Sequence, residues 1–142
     1  MTIQTYLGFD VGTKRTGIAI ANSLTAQASG IDTVRHNKNG STNWGAIEQI
    51  IAKHPANLFV VGMPYDKEGK EQEMTFIARS FGKKMSERFD TEVVFVDEYL
   101  SSSEAKNQLK WHYAHSNADR GDVDMRSAQL ILQTWLNESR ID

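Results

Sequence analysis

Three acidic positions in this chain stand where a carboxylate is hard to keep. Asp10 closes the apolar run Tyr6-Leu7-Gly8-Phe9, and Asp97-Glu98 closes Val93-Val94-Phe95-Val96. Asp124 shares a helical face with Ala128, Ile131 and Trp135. A carboxylate beside buried apolar surface is costly unless something positive meets it. Each position has a plainer use: Asp10 in a turn, Asp97-Glu98 at the entry to a helix, Asp124 in the first turn of a helix, where the dipole favours negative charge. Taken together, separated acids at strand ends suit a hard divalent cation, because magnesium takes oxygen ligands and keeps several of its waters. Two such ions about 3.5–4 Å apart activate a water and stabilise the leaving oxygen in phosphoryl transfer.

The elements that must position these acids follow from the hydrophobic pattern. Residues 6–11 and 16–21 read as strands joined by a tight turn over 12–15, an antiparallel hairpin. A weaker third strand covers 31–34, and the polar stretch 36–42 reads as a loop. Trp44, Ile47, Ile50 and Ile51 fall on one helical face over 43–54, a helix that Pro55 ends. Leu58-Phe59-Val60-Val61 reads as a central strand, and 62–69 as a loop. Met74, Ile77, Ala78, Phe81, Met85 and Phe89 form the inner stripe of a long helix. Residues 92–96 read as another buried strand. Ser101 with Glu104 has capping-box spacing. Residues 111–121 read as polar and irregular, and a last helix covers about 123–137. A hairpin plus third strand followed by strand–helix alternation predicts an α/β fold, a mixed sheet with helices packed on it. Right-handed crossovers bring the later two strands parallel to the first. In a strand successive side chains alternate, so only one of Asp97 and Glu98 faces Asp10.

At 142 residues the chain suits one domain, 1–142. Lys plus Arg number 16 and Asp plus Glu 18, a net charge of −2, so bulk charge gives no general affinity for nucleic acid. Bound metal ions would supply the positive charge that faces phosphate. The absence of cysteine excludes disulfides, thiolate catalysis and Cys-based zinc sites. No signal peptide or membrane span is legible, so a cytoplasmic location and no membrane partner are expected.

The residues also carry a family resemblance. Gly8-Phe9-Asp10-Val11-Gly12-Thr13-Lys14-Arg15-Thr16-Gly17 resembles the opening motif GxDxGxKRxG of the YqgF/RuvX family. Val61-Gly62-Met63-Pro64 with Gly69 resembles its VGxPxxxxG. Asp97-Glu98-Tyr99-Leu100-Ser101-Ser102 resembles its DERxT/ST, and Val123-Asp124 with Ala128 and Ile131-Leu132 resembles its closing VDxxAAxxIL. The four occur in order and span nearly the whole chain.

The resemblance implies a ribonuclease H-like fold with strand order 3-2-1-4-5 and a metal-dependent nuclease. The substrate it implies is the 5′ end of pre-16S rRNA or, by fold analogy, a Holliday junction. Matching the motifs makes Asp10, Glu98 and Asp124 the catalytic and metal-binding carboxylates, with Mg2+ or Mn2+, two ions, as the cofactor. Lys14 and Arg15, with Arg126 beside Asp124, are candidate phosphate contacts. The partner is nucleic acid, and the chain a monomer or homodimer, a resolvase favouring a symmetric pair. The chain departs from the pattern at Tyr99, where the family has Arg, at Asp122, where Lys often stands, and at Ser127, in place of one Ala. The first two changes remove positive charge beside the site and bear on phosphate contact more than on metal chemistry.

Other residues read more plainly. His112 and His115 fit a loop, and Lys83 and Lys84 a solvated helix face. Two other functions compete. A sugar-kinase or actin-like ATPase shares the GxDxGT opening but needs two such domains. A catalytically silent RNA- or ribosome-associated module would keep RNA affinity without Asp10.

Overall fold

The structure, a computed structural model, describes residues 2–98 and 120–139, with the side chains of residues 120 and 121 excepted. Tyr99, the Ser101/Glu104 pair, His112 and His115 lie outside the described residues.

The chain opens with strands β1 (Thr5–Val11), β2 (Arg15–Asn22) and β3 (Ser29–Arg35). Helix α1 (Trp44–Lys53), strand β4 (Leu58–Met63), helix α2 (Glu73–Phe89), strand β5 (Glu92–Asp97) and helix α3 (Arg120–Ser139) follow. The five strands form one sheet in the order β3-β2-β1-β4-β5. β1 pairs antiparallel with β2 and parallel with β4, and β5 runs parallel to β4. The C-terminal ends of β1, β4 and β5 therefore lie side by side, the edge at which open α/β sheets carry ligands.

Side-chain alternation sends each strand's residues to two different environments. On one face Leu7, Phe9, Ile18, Phe59 and Val61 pack against Ile47 and Ile50 of α1 and Ala78, Phe81 and Met85 of α2. Aromatic rings fill this layer: Phe9 meets Phe59 and Phe81, and Trp44 stacks on Phe81. On the other face Ala19, Ala21, Val60 and Val96 pack against Ala128, Ile131, Leu132 and Leu136 of α3. A Cβ at Gly8 would lie 2.8 Å from the Leu132 Cβ, and one at Gly30 2.8 Å from the Met125 Cβ, so α3 lies almost on the backbone of the sheet. The Gln133 side chain fixes its axial position, accepting from the Ala28 N–H and donating to the Ala26 carbonyl.

Local chemistry sets the helix ends. The Asn43 side chain caps α1 by accepting from the Ala46 N–H. At α2, Thr75 Oγ1 accepts from the Gln72 N–H and donates to the Pro64 carbonyl, tying the helix start to the exit of β4. Asp90 ends α2 in the left-handed conformation.

Four sequence expectations change. β4 runs on to Met63, so the loop begins at Pro64. α3 starts at Arg120, so residues 120–121 are helical instead of irregular and Asp122 sits in its first turn. β5 is an edge strand, which leaves Phe95 43% exposed although its apolar run reads as fully buried. Ile77 is 40% exposed, outside the inner stripe of α2.

Candidate functional site

The site assembles around Asp10, the next-to-last residue of β1. Leu7 and Phe9 point into the α1/α2 layer, so Gly8 and Asp10 face α3. Opposite Asp10 on β2 is Gly17. On the other side Phe9 pairs with Val61, and one step further along the register brings Gly62 beside Asp10. Asp10 thus has a glycine in each neighbouring strand, and each glycine makes room for another acidic residue.

Gly17 makes room for Asp124. A Cβ there would lie 2.0 Å from the Asp124 carbonyl oxygen and 3.0 Å from the Met125 nitrogen. The α3 backbone touches β2 at this point, and any side chain would lift the helix. Gly62 makes room for Glu98. A Cβ there would lie 2.9 Å from Glu98 Cγ and 3.1 Å from Cδ, so the Glu98 side chain lies across β4 toward β1. The Glu98 N–H donates to the Met63 carbonyl at 3.1 Å, which holds this residue just past the end of β5.

The choice between Asp97 and Glu98, open in the sequence, is a matter of the pleat. Val96 is buried in the α3 layer. Asp97 pairs with Met63, a residue of the α1/α2 layer, and Glu98 returns to the α3 face with Asp10.

Arg15, the first residue of β2, donates from Nε to Asp124 Oδ2 at 2.7 Å, with the two side chains 21% and 23% exposed. This charge-assisted bond joins residues 109 apart in sequence and orients the Asp124 carboxylate. It answers what meets the acid on the inner face of α3: a guanidinium from the hairpin. Lys14 is exposed at the hairpin tip. Arg126 lies apart from this group. It is exposed, donates to Gln129 Oε1 at 3.1 Å, and lines a cavity of about 430 Å³ over β3 with Ser29, Gly30 and Asp122.

In donor type the set suits a hard divalent cation. Asp10, Glu98 and Asp124 come from three elements, all offer oxygen, and the Gly62 cradle holds Glu98 over the strand next to Asp10. Among the described residues no three or more His, Cys, Asp or Glu side chains are gathered closely enough to hold a metal ion by themselves, Asp10, Glu98 and Asp124 included. The carboxylates share one face and one sheet end, and Asp124 is turned to Arg15. An ion here would keep waters or take substrate oxygens as ligands, as magnesium does with phosphates.

Ser127 is fully buried, and its Oγ has no hydrogen-bond partner among the described residues. This is the position where the family pattern carries Ala.

Comparison with known proteins agrees with this fold. The chain is 39% identical over 138 residues to a protein of Aeromonas salmonicida provisionally named pre-16S rRNA nuclease, covering 97% of this chain and 98% of that one. A Coxiella burnetii protein of the same name is 39% identical over 134 residues, 94% of this chain and 93% of its own. Among solved structures, Thermus thermophilus RuvC in complex with a Holliday junction substrate superposes with a TM-score of 0.65 at 11% identity, covering 97% of this chain and 96% of that one. A second T. thermophilus RuvC structure gives 0.58 at 9% identity, over 95% of each chain. These two likenesses bear on the fold, which is ribonuclease H-like. Residues 4–138 match the model of the family described as RuvX, Holliday junction resolvase. With near full-length relatives at this identity, the chain belongs to the RuvX family.

Proposed function

We propose that this chain is a divalent-metal-dependent nuclease that hydrolyses phosphodiester bonds in the 5′ leader of pre-16S rRNA, with residues 1–142 acting as one domain in the cytoplasm. Family membership supports the nuclease class, and the names of the near full-length relatives support the RNA substrate. The observation that carries the site is the arrangement about Asp10. Glycines at positions 17 and 62 flank it, and over them lie Asp124 and Glu98.

In this reading Asp10, Glu98 and Asp124 hold Mg2+ or Mn2+, two ions in all. When bound, the ions supply an activated water and stabilise the leaving oxygen. Asp10 lies between the other two acids and serves both ions. Arg15 keeps Asp124 facing the site through its Nε bond. Lys14, exposed at the hairpin tip, contacts a substrate phosphate, and Arg126 contacts the backbone further out over β3.

The test is incubation of the chain with a 5′-extended pre-16S RNA and, separately, with a four-way DNA junction, each in Mg2+ and in EDTA. The expected result is Mg2+-dependent cut RNA with 5′-phosphate and 3′-hydroxyl ends and an intact junction. Symmetric cutting of the junction alone would move the substrate to branched DNA and make the active form a dimer. No cutting of either would remove the nuclease reading.

A further inference from the structure

The end of β1 has a second side. Val11 follows Asp10 and points to the opposite face. There a groove of about 330 Å³ is lined by Val11, His36, Thr42, Phe76, Ser80 and Lys84. We infer that this groove holds an unpaired nucleotide of the substrate beside the scissile phosphate, its base on the Phe76 ring and its phosphate at the Lys84 ammonium. This rests on the nuclease reading above and adds a preference for a single-stranded flank.

Packing does not account for the apolar groups here. The inner face of α2 is already filled by Ala78, Phe81 and Met85, yet Phe76 stands 56% exposed and Ile77 40% exposed on its outer side. Phe76, Ser80 and Lys84 are spaced four apart, so ring, hydroxyl and ammonium run along one side of the helix. The Arg79 guanidinium lies 5.6 Å from the Phe76 ring centroid and covers one side of it. Arg79 in turn is ion-paired with Glu71, which fixes the guanidinium at the ring.

The lining chemistry selects the occupant. No lining residue is acidic, and the polar groups are an ammonium, an imidazole and two hydroxyls. An aromatic platform with cations around it is how proteins hold unpaired bases without demanding a sequence. The volume lies at the lower end of the range for small-ligand sites, about 300–1,000 Å³, which suits one nucleotide.

The groove is also joined to the carboxylate site. The His36 N–H donates to the Lys14 carbonyl at 2.9 Å, tying the groove wall to the hairpin tip. A strand crossing that tip passes from the acids on one face to the groove on the other. A junction with every base paired offers no base to the ring.

The test uses the full chain and a 5′-extended hairpin RNA with 2-aminopurine in the flank next to the expected cut, with Ca2+ replacing Mg2+. Binding should quench the fluorophore, and the flanked RNA should bind more tightly than a blunt hairpin. Phe76→Ala should abolish the quench and weaken binding of the flanked RNA about tenfold while sparing the blunt one. Phe76→Trp should restore both. Lys84→Ala should lower the salt slope of binding by about 1. A Phe76→Ala variant that binds and quenches like the wild type, or one that weakens both RNAs equally, would overturn the groove. Asp10→Asn serves as the control for the other reading. Normal quenching by wild type with no cutting in Mg2+ would sink the nuclease and keep the groove, whereas Asp10-dependent cutting with no quench would do the reverse.

Discussion

The two faces of the sheet are built on opposite rules. Beneath α1 and α2 the strands present Leu7, Phe9, Ile18 and Phe59, and bulk holds the helices off the backbone. Beneath α3 they present Gly8, Gly17, Gly30, Ala19 and Ala21, and the helix descends until its own backbone meets the sheet. The first face is a store of buried apolar area, the main source of stability. The second presents smaller side chains and gains position: α3 is set where Asp124 lies over Gly17, the β2 partner of Asp10, and against Arg15. One sheet thus separates stability from placement, and substitutions on its two faces should fail in different ways.

The largest loss of stability belongs to the bulky face. Phe59 is fully buried, edge-on to Phe9 and Phe89. Phe59→Ala should cost about 3–5 kcal/mol in urea unfolding. The fraction still folded at low temperature should cut RNA at near wild-type rate. Equal loss of rate would mean that the two faces are not separable.

Gly17→Ala sharpens the comparison from the other side. The added methyl meets helix backbone, which cannot step aside, so overpacking should cost about 1–3 kcal/mol. Activity should fall further than stability suggests, on the order of a hundredfold, because a displaced α3 carries Asp124 with it. Gly62→Ala should be milder, since its nearest neighbours are the side chains of Ile131 and Glu98. A Gly17→Ala enzyme of normal rate would show that the close approach is only packing.

The smallest effect is a gain. Ser127 buries a hydroxyl with no partner among the described residues. Ser127→Ala should stabilise the chain by about 1 kcal/mol, read as a raised Tm, with cutting unchanged. A lowered Tm would mean that the hydroxyl has a partner.

Much of this was legible in the residues. The hairpin, the order of elements and the parallel later strands follow from apolar runs and the short turn before Thr16. Asp10 and Asp124 stand out as acids on apolar faces. What was not legible depends on neighbours distant in sequence. Whether β5 is a central or an edge strand is decided by what pairs beyond it, so Phe95 reads as buried and is not. Ile77 fits the inner stripe by spacing, but α2 is rolled so that Ala78 and Phe81 face the sheet. Lys84 is exposed, as a solvated helix face requires, but that it borders a groove with His36 and Phe76 depends on how the fold brings distant residues together. The Arg15–Asp124 bond joins opposite ends of the chain, and nothing local announces it.

The central claim is that Asp10 is an acid kept for an ion rather than for the fold. It is tested most directly by comparing Asp10→Asn with wild type for Mg2+-dependent cutting of 5′-extended pre-16S RNA, with Tm measured on the same samples. The account predicts loss of cutting with Tm unchanged or raised, because the amide keeps the shape and removes the charge. Undiminished cutting, or a collapse of Tm that accounts for the loss, would contradict it.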